Sequence, residues 1–133
     1  MQGMTGANDK RRLIMTIVPA GLYLANSCNY IMLQPEIPLE SLLAILNSKL
    51  ANAFFRCFST NSNVNGYEVE NIPVPEMSEE TSGLLAEKVS LLLEMNKLGR
   101  NQDSSKVEAE IDTIVYRLFG LDEQEISFIE ETY

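Results

Sequence analysis

Residues 39–58 read LESLLAILNSKLANAFFRCF, and this stretch decides how the rest of the chain can be arranged. Its apolar residues recur at spacings of three and four and form a wide stripe. Such a stripe is typical of a helix that packs against two neighbours. The pattern therefore predicts one long central helix from Leu39 to about Phe58, to which the flanking segments must attach.

Downstream of this helix, the sequence predicts a helical hairpin. Ser78 is a typical N-cap, and the acids that follow it suit the first turn of a helix running to about Leu98. Residues 99–105 form a polar loop, and the apolar spacing then predicts a second helix over residues 105–119.

A short last helix should follow the hairpin. Gly120 is suited to end the preceding helix in a left-handed conformation. Asp122 and Glu125 have the spacing of a capping box, flanked by apolar residues suited to a hydrophobic staple. The last helix is therefore expected to begin at Glu123.

Upstream of the central helix, the chain has the composition of short strands. Residues 12–18 are apolar and β-branched and end at Pro-Ala-Gly, and residues 22–25 and 30–33 are similar. Residues 67–71, after a strong Asn-Gly turn, are a further candidate strand. The predicted fold class is α+β, with a small N-terminal antiparallel β part, a long central helix, a C-terminal helical hairpin and a short last helix.

Two segments follow from this organisation. Residues 1–76 hold the strands, the long helix, a polar loop and the extended segment IPVP at residues 72–75. Residues 77–133 hold the helical hairpin and the last helix. We expect the two segments to form one compact fragment of a larger protein.

The composition excludes several classes of function. The net charge is −9, there is no histidine, and the two cysteines have no metal-site spacing. Triads that need histidine are excluded, and no Gly-rich phosphate loop is present. No apolar run is long enough to span a membrane, so we expect a soluble, cytoplasmic protein without a bound metal.

The charge is unevenly distributed along the chain. Residues 1–66 carry five bases and three acids, a net of +2, whereas residues 67–133 carry five bases and sixteen acids, a net of −11. A polyanion would be attracted to the first half and repelled by the second. Overall acidity therefore limits which face could bind nucleic acid without excluding such binding.

The first half contains several candidate residues for DNA contact. Lysine and arginine can hold phosphates, and asparagine can bind adenine through two hydrogen bonds. A solvated N-terminal arm, ordinary turn chemistry and the polar side of an amphipathic helix are the alternative explanations of the same residues. The candidates are Thr5, Asn8, Lys10, Arg11, Arg12, Asn29, Lys49, Arg56, Asn61, Asn63 and Asn65.

One pair of carboxylates could in principle support catalysis. Glu68 and Glu70 would lie on one side of a strand, and paired carboxylates can bind a metal or act as acid and base. The further acid and lysine that a nuclease site needs are not nearby. We therefore expect a solvated strand face and assign no catalytic residue.

The order of several segments resembles a known family. The run MTGANDKRRLI at residues 4–14, IVPAG at 17–21, NSCNYI at 26–31, the helix LAILNSKL at 43–50, and VNGYEVENIPVP at 64–75 follow one another as in that family. So does the closing helix EAEID–VY–LFGL within residues 108–121. Together they resemble the C-terminal target-recognition region of adenine-specific N6 DNA methyltransferases and fused type IIG restriction–modification enzymes.

The resemblance implies a function in sequence recognition. It implies that the chain reads and clamps double-stranded DNA, while a missing N-terminal catalytic domain binds S-adenosylmethionine and flips the target adenine into its own pocket. The family's Asn-Pro-Pro-aromatic motif and its Gly-rich cofactor loop do not occur here, so the chain alone should be inactive and hold no cofactor.

Two alternatives remain at this point. Specificity subunits of type I restriction systems share a looser version of the same segment order, and this chain could be a fragment of one. The chain could instead be an acidic helical protein–protein interaction module, with its leucine-rich helices docked on a partner.

Overall fold

A computed structural model describes residues 1–5, 9–32, 38–98 and 103–133 of the chain. Within these ranges the regular structure is entirely helical. The helices are α1 (Leu39–Asn47), α2 (Lys49–Phe58), α3 (Gly66–Val69), α4 (Glu79–Leu98), α5 (Ser105–Phe119) and α6 (Glu123–Thr132). None of these helices is long and apolar enough to cross a membrane.

The core lies where α1 and α2 meet the C-terminal helices. Helix α1 packs on α4 and α5, and α2 packs on α5 and α6. One apolar cluster joins α1, α4 and α5, and it includes Ile45, Leu85 and Val115. A second cluster lies under the N-terminal segment and is centred on Leu13 and Phe55, both of which are fully buried.

The C-terminal predictions are confirmed. Helix α4 begins after Ser78, whose hydroxyl accepts a hydrogen bond from the Thr81 amide at 3.2 Å. Helix α5 ends at Phe119 and is followed by Gly120, which has a φ of 70° that glycine adopts without steric cost. Residues 99–102 of the predicted polar loop lie outside the described residues.

The predicted capping box before α6 is also confirmed. The Asp122 carboxylate accepts hydrogen bonds from the amides of Gln124 and Glu125, each at 2.9 Å. The Glu125 carboxylate accepts in return from the Asp122 amide at 2.9 Å. These bonds satisfy donors at the helix start that would otherwise lack partners, so α6 begins at Glu123 as expected.

The single long central helix is wrong, because the chain breaks at Ser48. Ser48 has an extended ψ of 158°, and its hydroxyl accepts from the Ala51 amide as the N-cap of α2. The carboxylate of Asp112, from α5, accepts from the Lys49 amide at 2.8 Å. Side-chain oxygens at this point therefore compete successfully with the helical bonds.

The predicted β part is wrong as well. The described residues contain no strand and no sheet, only isolated bridges between Gln2 and Cys28 and between Met4 and Asn63. Residues 12–18 pack on the helices through Leu13, and the backbone amides of Arg12 and Met15 donate to side chains of α2 and α1. An α+β fold therefore does not form, because the segment finds its partners on helices. Within the third predicted strand, residue 33 lies outside the described residues.

The candidate strand at residues 67–71 is also wrong. Its first residues belong to the short helix α3, which follows Asn65. The Glu68 carboxylate accepts from the Asn65 backbone amide at 3.0 Å, which satisfies a donor at the helix start.

The N-terminal arm, residues 1–5, lies against the turn at residues 25–28. The Gly3 amide donates to the Ser27 carbonyl at 2.9 Å. A Cβ atom at Gly3 would lie 2.6 Å from that carbonyl oxygen, a distance that requires the backbone to move. Glycine at this position therefore allows the arm and the turn to approach each other closely.

Candidate nucleic-acid interface

Two asparagines hold the irregular segment at residues 10–15 on the surface of α1 and α2. The Asn52 side chain accepts from the Arg12 amide and donates to the Lys10 carbonyl, both at 2.7 Å. The Asn47 side chain accepts from the Met15 amide and donates to its carbonyl, both at 2.9 Å. Each carboxamide thus presents one donor and one acceptor to the backbone, as a neighbouring β-strand would.

Sequence reasoning missed both asparagines, although one signal was available. Asn47 and Asn52 lie five residues apart in a stretch whose other residues are mainly apolar. A buried amide needs hydrogen-bond partners, and Asn52 is buried. Asparagines on the apolar side of a helix therefore indicate that a polar backbone passes over them.

Within this segment, the side chain of Arg12 points into the protein, and Arg12 is only 1% exposed. Its guanidinium donates to the Thr5 hydroxyl at 2.9 Å and to the Asn61 carbonyl, and it lies 5.4 Å from the centre of the Phe55 ring. No ion pair to Arg12 occurs in the described part of the chain. Two of the predicted DNA-binding residues, Thr5 and Arg12, therefore serve here to connect segments of the protein.

Several predicted residues lie where the N-terminal arm contacts the polar loop at residues 59–65. We call this region the polar edge, and its members are Thr5, Arg12, Asn29, Asn61 and Asn63. The Thr5 amide donates to the Ser62 carbonyl at 2.9 Å. The Asn29 side chain donates to the Val64 carbonyl at 2.8 Å. The arm and the polar loop at residues 59–65 are thus brought together from distant parts of the sequence.

Two asparagines of the polar edge present their side chains to solvent. Asn61 and Asn63 are exposed, and within the described residues their carboxamides make no hydrogen bond. Asn65 differs, because its carboxamide donates to Glu68 at 2.9 Å. The predicted residue Asn8 lies outside the described residues.

The carboxylates of Glu68 and Glu70 do not form a paired site. Glu68 is buried and serves the start of α3, whereas Glu70 is exposed. No group of three or more histidine, cysteine, aspartate or glutamate side chains in the described ranges could hold a metal ion.

Lys10, Arg11 and Lys49 line one shallow groove, which we call the basic groove. Its volume is about 230 Å³, and it lies where residues 10–11 meet the start of α2 and one face of α5. Its other lining residues are Ser48, Asn52, Ser105, Glu108, Ala109, Asp112 and Tyr133. The fold thus places predicted bases from two distant segments around one concavity.

Acids from the C-terminal helices pair with two of these bases. Arg11 Nη2 lies 3.3 Å from Glu108 Oε2, and it also donates to the Asn47 carbonyl at 3.2 Å. Lys49 Nζ pairs with Glu130 of α6. Lys10 is exposed and has no ion pair among the described residues.

Arg56 lies beside the basic groove and contacts its lining. Its guanidinium donates to the carbonyls of Asp9 and Lys10, at 2.6 and 3.3 Å. It also lies 5.1 Å from the centre of the Tyr133 ring, within the range of a cation–π contact. Arg56 therefore stabilises the position of residues 9–10 next to the groove.

Glu130 links the basic groove to a buried tyrosine. Burial raises the pKa of the Glu130 carboxyl, but hydrogen bonds from Lys49 and Tyr116 outweigh burial and hold this pKa below its ordinary value of 4.5. Burial and the 2.8 Å hydrogen bond to Glu130 both raise the pKa of the Tyr116 hydroxyl. At neutral pH the tyrosine is thus the donor and Glu130 is the ionised acceptor.

Asp112 lies at the wall of the groove and is almost completely buried. Burial raises the pKa of its carboxyl, and the opposing hydrogen bond from the Lys49 amide only partly offsets this effect. An anion in the groove would meet the negative charge of Asp112. Lys10 and Arg11, which line the same groove, carry the positive charge that would attract a phosphate.

A second, larger concavity is apolar and lies on the other side of the N-terminal segment. This apolar groove has a volume of about 700 Å³ and runs between residues 15–24 and α1. Large apolar side chains around it are exposed to solvent; they include Val18, Leu22, Leu24, Tyr30 and Ile31, and Tyr23 is fully exposed. Exposed apolar patches of this kind are typical of surfaces that contact another protein.

Comparisons with protein-family models, curated proteins and solved structures give no match for this chain.

Proposed function

We propose that this chain recognises and clamps DNA as the C-terminal part of an adenine-N6 DNA methyltransferase or a fused restriction–modification enzyme. The proposal assigns S-adenosylmethionine binding and methyl transfer to the catalytic domain of that larger enzyme. A fragment of a type I specificity subunit would use the same surface in the same way.

One observation carries the proposal. Lys10, Arg11 and Lys49, which come from segments about 40 residues apart in the sequence, line one groove. Asn52 and Arg12 connect this groove to the polar edge, where Asn61 and Asn63 present free carboxamides. Cations that can hold phosphates are thus linked, through Asn52 and Arg12, to amides that can bind base edges, and DNA recognition needs both kinds of group.

The apolar groove supports the part of the proposal that concerns a larger enzyme. Its lining side chains carry no charge, so it is suited to contact another protein domain rather than DNA. In the proposed arrangement the catalytic domain covers the apolar groove, while the basic groove and the polar edge face the duplex.

A second candidate is a protein–protein interaction module. The apolar groove favours it, since an exposed surface of this kind suits a protein partner. The exposed apolar residues around the groove belong to the N-terminal half and not to the acidic helices. This version of the module would therefore bind through residues 18–31.

The proposal is tested by measuring binding to a mixed-sequence duplex between about 50 and 200 mM salt. Lys10→Ala should weaken binding about two- to fivefold and reduce the slope of log K against log salt by about 0.9, the value for one phosphate contact. Lys97→Ala is the matched control, because it removes the same charge from an exposed position near the end of α4.

Two results would contradict the proposal. The first is an absence of binding at the lowest salt concentration, which would favour the interaction module. The second is an equal loss of affinity in both variants, which would indicate that only the total charge matters. An Asn-Pro-Pro-aromatic motif in a longer reading frame that contains this chain would support the methyltransferase assignment directly.

A further inference from the structure

The acidic C-terminal helices reach into the surface that the bases would use to bind DNA. Glu108 comes from α5 and Glu130 from α6, yet each carboxylate pairs with a base at the basic groove. The acids are therefore not confined to a separate face, although the sequence divides the charge between two halves. We propose that Glu108 and Glu130 mask Arg11 and Lys49 and thereby limit the affinity of the basic groove for DNA. This inference rests on the proposed function.

The geometry allows each masked base to change partners. The side chains of Arg11 and Glu108 are 51% and 37% exposed, and those of Lys49 and Glu130 are each 40% exposed. Exposed ion pairs contribute little net stability, so a phosphate can replace the carboxylate at low cost. A phosphate must nevertheless displace that carboxylate before the base can contribute to binding.

The two masking carboxylates, Glu108 and Glu130, differ in how firmly their hydrogen-bond partners hold them. Glu130 accepts hydrogen bonds from both Lys49 and Tyr116, so its position is set by a buried residue of α5. Glu108 has one partner at the groove, Arg11, and a second, Ser104, at the start of its own helix at 2.8 Å. Glu130 is therefore the firmer competitor for its base.

Masking also changes which base makes the first contact. Lys10 lines the same groove without an ion pair in the described part of the chain. At physiological salt, electrostatic attraction acts only over about 8 Å, so a phosphate is drawn first to the unmasked cation. Arg11 and Lys49 then bind only after exchange, which lowers non-specific affinity without removing the bases that a correctly positioned duplex would use.

The test uses the whole 133-residue chain and the same mixed-sequence duplex. Glu108→Gln and Glu130→Gln keep the shape of each side chain and remove its charge. Each should tighten binding about two- to fivefold, the range expected for one exposed ion pair. Each should also make the slope of log K against log salt steeper by about 0.9, since one further cation is free to bind a phosphate.

Glu110→Gln is the matched control. It also removes one negative charge from α5 and also breaks an ion pair, which Glu110 forms with Lys88 at 2.6 Å. Glu110 lies roughly 200° around the helix from Glu108 and does not line the basic groove. Masking predicts that this variant changes affinity much less than Glu108→Gln or Glu130→Gln does.

The outcomes separate the inference from the proposed function. Equal tightening in all three variants would overturn masking, because it would reduce the effect to net charge. If the wild-type chain binds, Lys10→Ala weakens it and neither groove variant tightens it, masking is wrong and the proposed function stands. If neither the wild-type chain nor any glutamine variant binds the duplex, both are overturned.

Discussion

Residues 9–32 are held in place by different means from the C-terminal helices at residues 79–98 and 103–133. The C-terminal segment forms long helices whose starts and ends are set by neighbouring residues, such as the Asp122 capping box and Gly120. The N-terminal segment has no regular structure, and it is held by side chains from elsewhere, chiefly Asn47, Asn52 and Arg56. The comparison shows that one chain can combine locally determined helices with a segment whose path depends on distant partners.

The largest loss of stability is expected from a substitution in the helical segment. Leu85 is fully buried in the cluster of α1, α4 and α5, so Leu85→Ala should lower the free energy of unfolding by about 2–5 kcal/mol. Leu84→Ala is the control, because Leu84 is 44% exposed and should cost less than about 1 kcal/mol. Equal losses in denaturant titrations would contradict the assignment of α4's buried face.

An intermediate loss of stability is expected from a substitution where the N-terminal segment is anchored. Arg12→Met keeps the bulk of the side chain but removes its hydrogen bonds to Thr5 and Asn61, so it should cost about 1–3 kcal/mol. Amide hydrogen exchange of Thr5 and Val64 should accelerate, since both amides bond between the arm and the polar loop. Exchange in α5 should change less.

Arg11→Met is the control for this comparison. Arg11 is exposed and its ion pair with Glu108 is worth less than about 1 kcal/mol, so exchange along the polar edge should stay unchanged. If the two variants behave alike, Arg12 does not anchor the arm.

The smallest change in stability, and one that depends on pH, is expected where the central helices meet α5. Because burial raises the pKa of Asp112 above its ordinary value of 3.8, the folded protein holds this proton more firmly than the unfolded chain does. The contribution of Asp112 to stability therefore falls as pH rises through and above 3.8. Asp112→Asn keeps an acceptor for the Lys49 amide and removes the titration, so it should gain stability relative to the wild type as pH rises.

This prediction is checked by unfolding both proteins across the range from about pH 3 to 7. A constant difference between the two stability curves would show that Asp112 has no raised pKa. A difference that grows in favour of the wild type would mean that its charge stabilises the start of α2 by more than burial costs.

The sequence predicted helices α4 to α6 well because their signals are local. Ser78, Gly120 and Asp122 act within one or two turns of the residues that they cap. The capping residue and the helix end that it caps therefore lie together in the sequence. The break at Ser48 was missed because the apolar spacing continues across it. Ser48 itself caps α2, and the second oxygen at the break belongs to Asp112, which is 63 residues away from the amide that it binds.

The N-terminal β part was predicted wrongly for a related reason. Residues 12–18 have the composition of a strand, but composition does not identify the group that satisfies the backbone. Here Asn47 and Asn52 supply the donors and acceptors that a second strand would have supplied. Of the candidate DNA-binding residues, Lys10, Arg11 and Lys49 line one groove, and their role in binding stays a prediction. The burial of Arg12 could not be inferred from a run of charges.

Asn47 and Asn52 hydrogen-bond to backbone atoms, and this has a consequence for which residues of the segment can be substituted. Both carboxamides bond to backbone atoms of residues 10–15, so this part of the attachment does not depend on the side chains at the exposed positions. Lys10 and Ile14 point to solvent and are free to be replaced, while Leu13 stays in the core. Exposed residues of one short segment can therefore be exchanged with the helices that carry it left unaltered, which under the proposed function would change the DNA contacts of this surface.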